Sequence, residues 1–311
     1  MPAISTYPLS RYRLDFTATS AIRLPEYAGS SLRGAFGHAL RQLACTTRAK
    51  TCQGCMLAAT CPYPAIFEPQ KPQGGTLALA TPPVPYIIEP PAWGERHYAR
   101  DDALQFHFTL TGRAADHLNI VIMAWQRALA RGIGAGDGTA RLETIHHCTP
   151  QGETLIHRSG EPILPHTHTL TLPEEPLATE ATLEFITPLR LQENGHALPP
   201  ARITAKPLLT ALLRRASLLA EHYGGAPLYH AEQFAALAQI AARVEAETSL
   251  RWRDWTRHSS RQGRTMQLGG CIGHLTLRGE LAPFSAALRL GEWLHVGKEA
   301  SFGLGHYRLH S

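Results

Sequence analysis

No stretch of 18 uncharged apolar residues occurs in the 311-residue chain. The richest run, Leu118 to Ala130, is broken by Gln126 and Arg127, so no membrane span is expected. An export signal's apolar block is also missing near the start, where Arg11, Arg13 and Asp15 stand instead; the expectation is a cytoplasmic protein. Charged residues are sparse at 18%, while apolar content is an ordinary 44%. That balance excludes a wholly disordered or coiled-coil chain. There is no G-x-S-x-G, so serine-nucleophile chemistry has no support. There is no G-x4-G-K-[ST] phosphate loop, and no G-x-G-x-x-G opening a helix after a strand. The length fits two domains of about 150 residues each, or one large one.

What is present is uneven. Lys and Arg number 30 against 25 Asp and Glu, a net charge of +5, which tolerates a polyanionic partner without demanding one. Within Arg251 to Arg264 stand Arg251, Arg253, Arg257, Arg261 and Arg264 against the single acid Asp254. Such an excess suits a phosphate-contacting surface; a solvated strand edge kept basic against aggregation reads equally well. Trp252 and Trp255 lie among these arginines, where an aromatic could stack on an unpaired base or belong to the core. Alternation puts Arg251, Arg253, Trp255 and Arg257 on one side and Trp252 with Asp254 on the other. Four of the six cysteines, Cys45, Cys52, Cys55 and Cys61, fall within 17 residues as C-x6-C-x2-C-x5-C. A C-x2-C pair puts two thiolates on one turn, and two more at loop distance complete a tetrahedral set. Structural zinc is the first expectation and an iron–sulfur cluster the second; disulfides fit a reducing compartment less well. Cys148 and Cys271 read as single buried small residues.

The chain runs twice through one pattern. Tyr12 to Thr19 alternates as a strand. A helix from about Ser31 carries the stripe Leu32, Ala35, Phe36, Ala39, Leu40 and Leu43. The cysteine loop and a stretch with Pro82, Pro83, Pro85, Pro90 and Pro91 read as irregular. A strand over Leu104 to Thr111, a helix over Ala114 to Ala130, a glycine-rich turn over Gly132 to Gly138 and a strand over Ala140 to Cys148 follow. Gln151 to Glu180 reads as a connector. The second run has a strand over Leu183 to Leu191, a helix opened by Pro207, and a helix over Ala231 to Glu247. A hairpin of Leu250 to Ser260 with Arg264 to Gly279 comes next. Pro283 opens a last helix to about His295, before a glycine-rich turn over Gly297 to Gly305 and a strand over Tyr307 to His310. Strand, helix, strand, strand, helix, strand is the ferredoxin-like order. The expected class is α+β: two tandem ferredoxin-like (RRM-like) domains, 1–150 with a cysteine-rich metal-binding loop inserted at 45–61, and 181–311 with a glycine-rich loop at 297–305. Each sheet would have one face covered by helices and one open, and open antiparallel faces can bind single-stranded nucleic acid.

These residues resemble a known family. His295-Val-Gly-Lys-Glu-Ala-Ser-Phe-Gly-Leu-Gly-His-Tyr307 resembles the glycine-rich loop of RAMP-superfamily CRISPR-associated proteins. Ser31-Leu-Arg-Gly-Ala-Phe-Gly-His38 with its cysteine loop, Phe185-Ile-Thr-Pro-Leu-Arg-Leu191, and Arg257-His-Ser-Ser-Arg-Gln262 running into Leu268-Gly-Gly270 resemble that superfamily's precursor-crRNA processing endoribonuclease. The resemblance implies binding and metal-independent cleavage of CRISPR repeat RNA, with other CRISPR effector subunits as partners. A non-catalytic RNA-binding subunit of an effector complex is the alternative.

Cleavage without a metal uses the ribose 2′-hydroxyl as nucleophile and leaves a 2′,3′-cyclic phosphate and a 5′-hydroxyl. It needs a base, a charge stabiliser and an acid. The resemblance points to the first helix for the base. His38 lies there about 200° from Phe36 and off the apolar stripe, beside Gly34, Arg41 and Gln42. Arg33, Arg41 and Lys298 are candidates to stabilise charge, and Tyr27 to position. The glycine loop (Gly297, Lys298, Ser301, Gly303, Gly305) is expected to meet RNA or a domain interface, because glycines leave backbone N–H groups exposed. Arg214 and Arg215 are adjacent on the polar side of their helix, as solvated surface or as phosphate contacts.

Overall fold

A computed structural model describes residues 4–70, 83–259 and 264–311, with side chains omitted over 256–268. Pro82 and Arg261 therefore lie outside the described residues. The chain divides into two compact units. One is Pro8–Leu170; the other joins the residues up to Tyr7 with Thr171–Ser311.

In the first unit, strand β1 (Leu9–Ala18) alternates buried and half-buried side chains, as its period-two apolar pattern dictates. Helix α1 (Gly29–Ala44) buries Leu32, Phe36, Ala39 and Leu40. Strands β2 (Tyr86–Glu89) and β3 (Ala103–Thr111) follow. A 3-10 turn over Gly112–His117 then leads into α2 (Leu118–Arg131), and β4 (Ala140–Thr149) and β5 (Gly152–Arg158) complete the five-stranded sheet. The sheet runs β2-β3-β1-β4-β5, each neighbouring pair antiparallel. Phe36 stacks on Trp125 of α2 at 4.8 Å and meets Phe108 of β3 at 5.1 Å. Truncating a ring so enclosed costs about 3–5 kcal/mol.

Two strands lie where the sequence reads as irregular. β2 occupies four residues between Pro85 and Pro90, all buried. Proline cannot donate to a ladder, so such a strand must be short and at an edge, and β2 is both. β5 lies in the expected connector. Its first three residues are exposed, and its pairing with β4 alone makes it a strand.

The second unit contains β6 (Glu180–Leu189), α3 (Ala205–Gly224), α4 (Ala231–Ala241), β7 (Glu245–Ser259), β8 (Arg264–Arg278), α5 (Ser285–Leu294) and β9 (Tyr307–His310). Its sheet runs β7-β8-β6-β9, again antiparallel throughout. Helix α4 ends at Ala241, not Glu247. The Ala-Glu repeat favours helix locally, but Glu245 onward pairs with β8 over its full length, and tertiary pairing overrides a weak propensity. Antiparallel sheets with helices, as found here, fit ferredoxin-like folds.

Candidate active site and nucleic-acid interface

On α1, His38 is exposed. Its Nε2 lies 2.8 Å from Gln42 Nε2, one turn on. The other end of that amide, Gln42 Oε1, accepts from Arg131 Nη1 at the last residue of α2. A guanidinium has only donors, so the amide oxygen must face Arg131 and the amide nitrogen must donate to His38. His38 is thereby held with Nε2 as acceptor and its proton on Nδ1, the form that can take a proton. Arg131 and Gln42 had no role in the sequence reading of the chemistry. Gln42 was visible as a neighbour of His38, whereas nothing local marks Arg131.

The other residues expected around His38 have structural duties. Arg41 donates from Nη2 to the carbonyls of Ala49 (2.5 Å) and Lys50 (2.8 Å) and lies over the Tyr63 ring; it holds the cysteine loop. Arg33 is half-buried, its guanidinium 4.4 Å from the centre of the Phe67 ring. Tyr27 is 5% exposed and packs on Trp93 at 4.7 Å. Burial pushes its hydroxyl pKa well above the usual range, so it is a core residue and not a positioning group.

The four loop cysteines are each half-buried and carry free thiols, and all four line one cavity of about 200 Å³. Thr47 Oγ1 lies 3.8 Å from Cys45 Sγ and 3.7 Å from Cys55 Sγ. Among the described residues, no three of these sulfurs lie within 4.8 Å of one another.

The sheet face away from α1 bears Arg11 and Arg13, but these cations are neutralised. Arg11 pairs with Glu89, and Arg13 with Asp15 and Glu153. His146 Nδ1 stands 3.1 Å from Asp15. Donor atoms of His107, Cys148 and Glu153 also lie within 4.8 Å of one another. However, Glu153 is already paired with Arg13, and burial raises the Cys148 thiol pKa, so the set is better matched to an ion-pair network than to a cation.

In the second unit the glycine loop packs inward. Lys298 N–H donates to Arg190 O, Gly303 N–H to Ala300 O and Gly305 N–H to Pro188 O, while Gly305 O accepts from Val296 N–H. Thr187 Oγ1 donates to Gly303 O at 2.7 Å. Gly303 and Gly305 are buried. Their N–H groups are taken, so these glycines serve packing against the end of β6 and not a phosphate. Gly297 is half-buried and paired with Arg190 in a bridge. The exposed Lys298 and half-buried Ser301 remain accessible.

On β7, Arg251 is exposed and Arg253 half-buried. Trp255, on their side, is 4% exposed and cannot take a base, whereas Trp252 is 37% exposed with its Nε1 donating to Asp254. The side chains of Arg257 and Arg264 lie outside what is described. Arg214 sits over Phe234 at 6.0 Å. Arg215 is half-buried and donates from Nε to Leu294 O at the end of α5, where desolvation of its guanidinium lowers its pKa to about 10. A cation on a helix C-terminus is a capping contact.

Family comparison agrees with this layout. Residues 183–307 match the family of the CRISPR-associated endoribonuclease Cas6, and residues 7–170 match the AF_1859 N-terminal domain. The chain belongs to the AF_1859 N-terminal domain family, whose match spans more than half of it, and its second unit is similar to the CRISPR-associated endoribonuclease Cas6. Its fold is shared with the product complex of Thermus thermophilus Cas6 (TTHB231), at TM-score 0.56 and 17% identity over 98% of this chain and 100% of that one. A Cas6 (TTHA0078) product complex gives 0.53 and 18% over 97% and 99%. A partial Cas6-RT-Cas1–Cas2 complex gives 0.59 and 16%, over 100% of this chain but 47% of that one. Among curated proteins, none matches. No described helix is long and apolar enough to cross a membrane.

Proposed function

We propose that this protein is a Cas6-type endoribonuclease that processes precursor crRNA, using two tandem ferredoxin-like domains to bind repeat RNA and cutting it without a metal. His38 Nε2 takes the proton of the ribose 2′-hydroxyl. The oxygen attacks the adjacent phosphorus, the bond to the 5′-oxygen breaks as that oxygen takes a proton from water, and a 2′,3′-cyclic phosphate and a 5′-hydroxyl result. Arg131 is the cation placed to stabilise the phosphorane. Arg251, Lys298 and Ser301 are proposed to contact RNA phosphates, and other effector subunits to receive the bound product.

The observation that supports this reading is the exposed, acceptor-form imidazole of His38 beside an arginine of the neighbouring helix. In the bound state the 2′-hydroxyl must displace the Gln42 amide from Nε2. That exchange is cheap, because a hydrogen bond contributes about 0.5–1.5 kcal/mol net. The same contact favours a second reading, a non-catalytic RNA-binding subunit, since the basic nitrogen is already occupied.

The deciding experiment is incubation with the repeat RNA encoded beside its own gene, with EDTA present, followed by end-group analysis. Cyclic-phosphate and 5′-hydroxyl ends are expected. Tight binding with intact RNA would establish the second reading.

A further inference from the structure

We infer that the loop between α1 and the helical turn Pro62–Ile66 is a four-thiolate metal site, with zinc as its ion, and that it staples the helix carrying His38 to the core. The inference is independent of whether the chain cleaves RNA.

Three features converge. The first is the donor set. Cys45, Cys52, Cys55 and Cys61 are free thiols around one cavity of about 200 Å³; four thiolates suit a closed tetrahedral zinc site, and because no three of these sulfurs lie within 4.8 Å of one another, the ion must draw the exposed loop inward to bind them. The second is the Cys52–Cys55 turn. Cys55 N–H donates to Cys52 O at 3.2 Å, and Gly54 takes φ +75°, a value glycine adopts without a steric penalty. The turn brings the two cysteines back toward each other, as a two-thiolate bite on one ion requires.

The third is how the loop is tied down. Cys45 is the C-cap of α1, its N–H donating to Arg41 O. Cys61 is the N-cap of the Pro62–Ile66 turn. That turn leads into Phe67, whose ring lies where a side chain at Gly37 would be. Between these ends the loop exposes Thr46, Thr47, Arg48, Lys50, Thr51, Gln53, Gly54 and Met56, and Met56 is 91% exposed. It has almost no core of its own, so the ion substitutes for one. Arg41, clasping Ala49 O and Lys50 O, brings a positive charge beside a site that four thiolates and one zinc ion leave negative.

The test uses the full-length chain purified under reducing conditions with zinc supplied. Elemental analysis is expected to find about one zinc per chain, falling to background in Cys52→Ser/Cys55→Ser and unchanged in Cys148→Ser. Three measurements use the wild type, so that misfolding of the double variant does not decide the outcome. Cobalt substitution should give the intense visible bands of tetrahedral sulfur coordination. Alkylation followed by peptide mass mapping should show Cys45, Cys52, Cys55 and Cys61 protected by metal and labelled without it. Hydrogen exchange at the Cys45 and Phe67 amides should quicken when metal is removed. Zinc-free protein, zinc kept by the double variant, or zinc lost on Cys148→Ser would overturn the site. Iron with acid-labile sulfide would overturn zinc as its ion. Unchanged exchange would overturn the staple.

Discussion

Helix α1 and the glycine loop near the C-terminus offer opposite lessons about motif and role. The glycine loop carries the more distinctive sequence, yet its N–H groups serve packing: Gly305 donates to Pro188 O and accepts from Val296 N–H. Helix α1 carries an ordinary amphipathic stripe, yet its polar side holds an arrangement with acid–base capacity, His38 with Gln42 and Arg131. A distinctive sequence marks a backbone with few alternatives, which is a packing constraint as often as a chemical one.

The contrast can be broken by substitution. His38→Ala should lower the cleavage rate about 10²- to 10⁴-fold while leaving RNA affinity and melting temperature unchanged; single-turnover kinetics beside a binding titration would check it. Equal rates would remove His38 from the chemistry. Gly305→Ala should behave in reverse. A Cβ there would stand 1.8 Å from Val296 O on a backbone at φ +68°. The expected loss is about 3 kcal/mol or more of stability, read by denaturant unfolding, with no specific catalytic signature in the surviving folded fraction.

Gln42→Glu sharpens the α1 side of the contrast. A carboxylate one turn from His38 should raise the imidazole pKa by about one unit. The alkaline-going limb of the pH–rate profile would then move upward, an effect that mere loss of packing would not produce. Lys298→Ala tests what remains exposed on the glycine loop. If Lys298 meets a phosphate, the slope of log affinity against log salt should shrink by about one, with cleavage of bound RNA unaffected.

The smallest effect concerns stability alone. Burial, with His166 and His168 nearby, lowers the His147 pKa to about 4. His166 Nε2 and His168 Nδ1 both approach Tyr12 Oη, at 3.1 and 3.3 Å, and Ser10 Oγ meets His168. The folded state therefore binds fewer protons than the unfolded chain between the ordinary histidine pKa and about 4. Stability from this group is complete above the ordinary value and declines as pH falls through that window. Melting temperature should drop over that range, and less steeply in His147→Gln.

Much of the fold was readable because periodicity reports burial. The stripe on α1 and the alternation of β1 both face the core as expected, and β9 starts and ends where the pattern placed it. The readings that failed had no local signal. β2 is four residues between prolines, and β5 exists through its partner β4. Arg33, Arg41 and Tyr27 have residue types suited to a site, and nothing local announced their neighbours in space, Phe67, Ala49 and Trp93.

By itself the amino-acid order determined which faces are apolar, how four thiols are spaced, and that a histidine stands off the stripe of the first helix. Those are properties of residues within a few turns of one another, where helix and strand geometry leave little choice. The tertiary structure alone decided that Arg131 meets Gln42 across 89 residues of chain, that Trp255 is buried while Trp252 is partly exposed, and that Arg215 caps α5. Such pairings depend on how separate elements pack, and packing is selected by the whole core and not by any local segment.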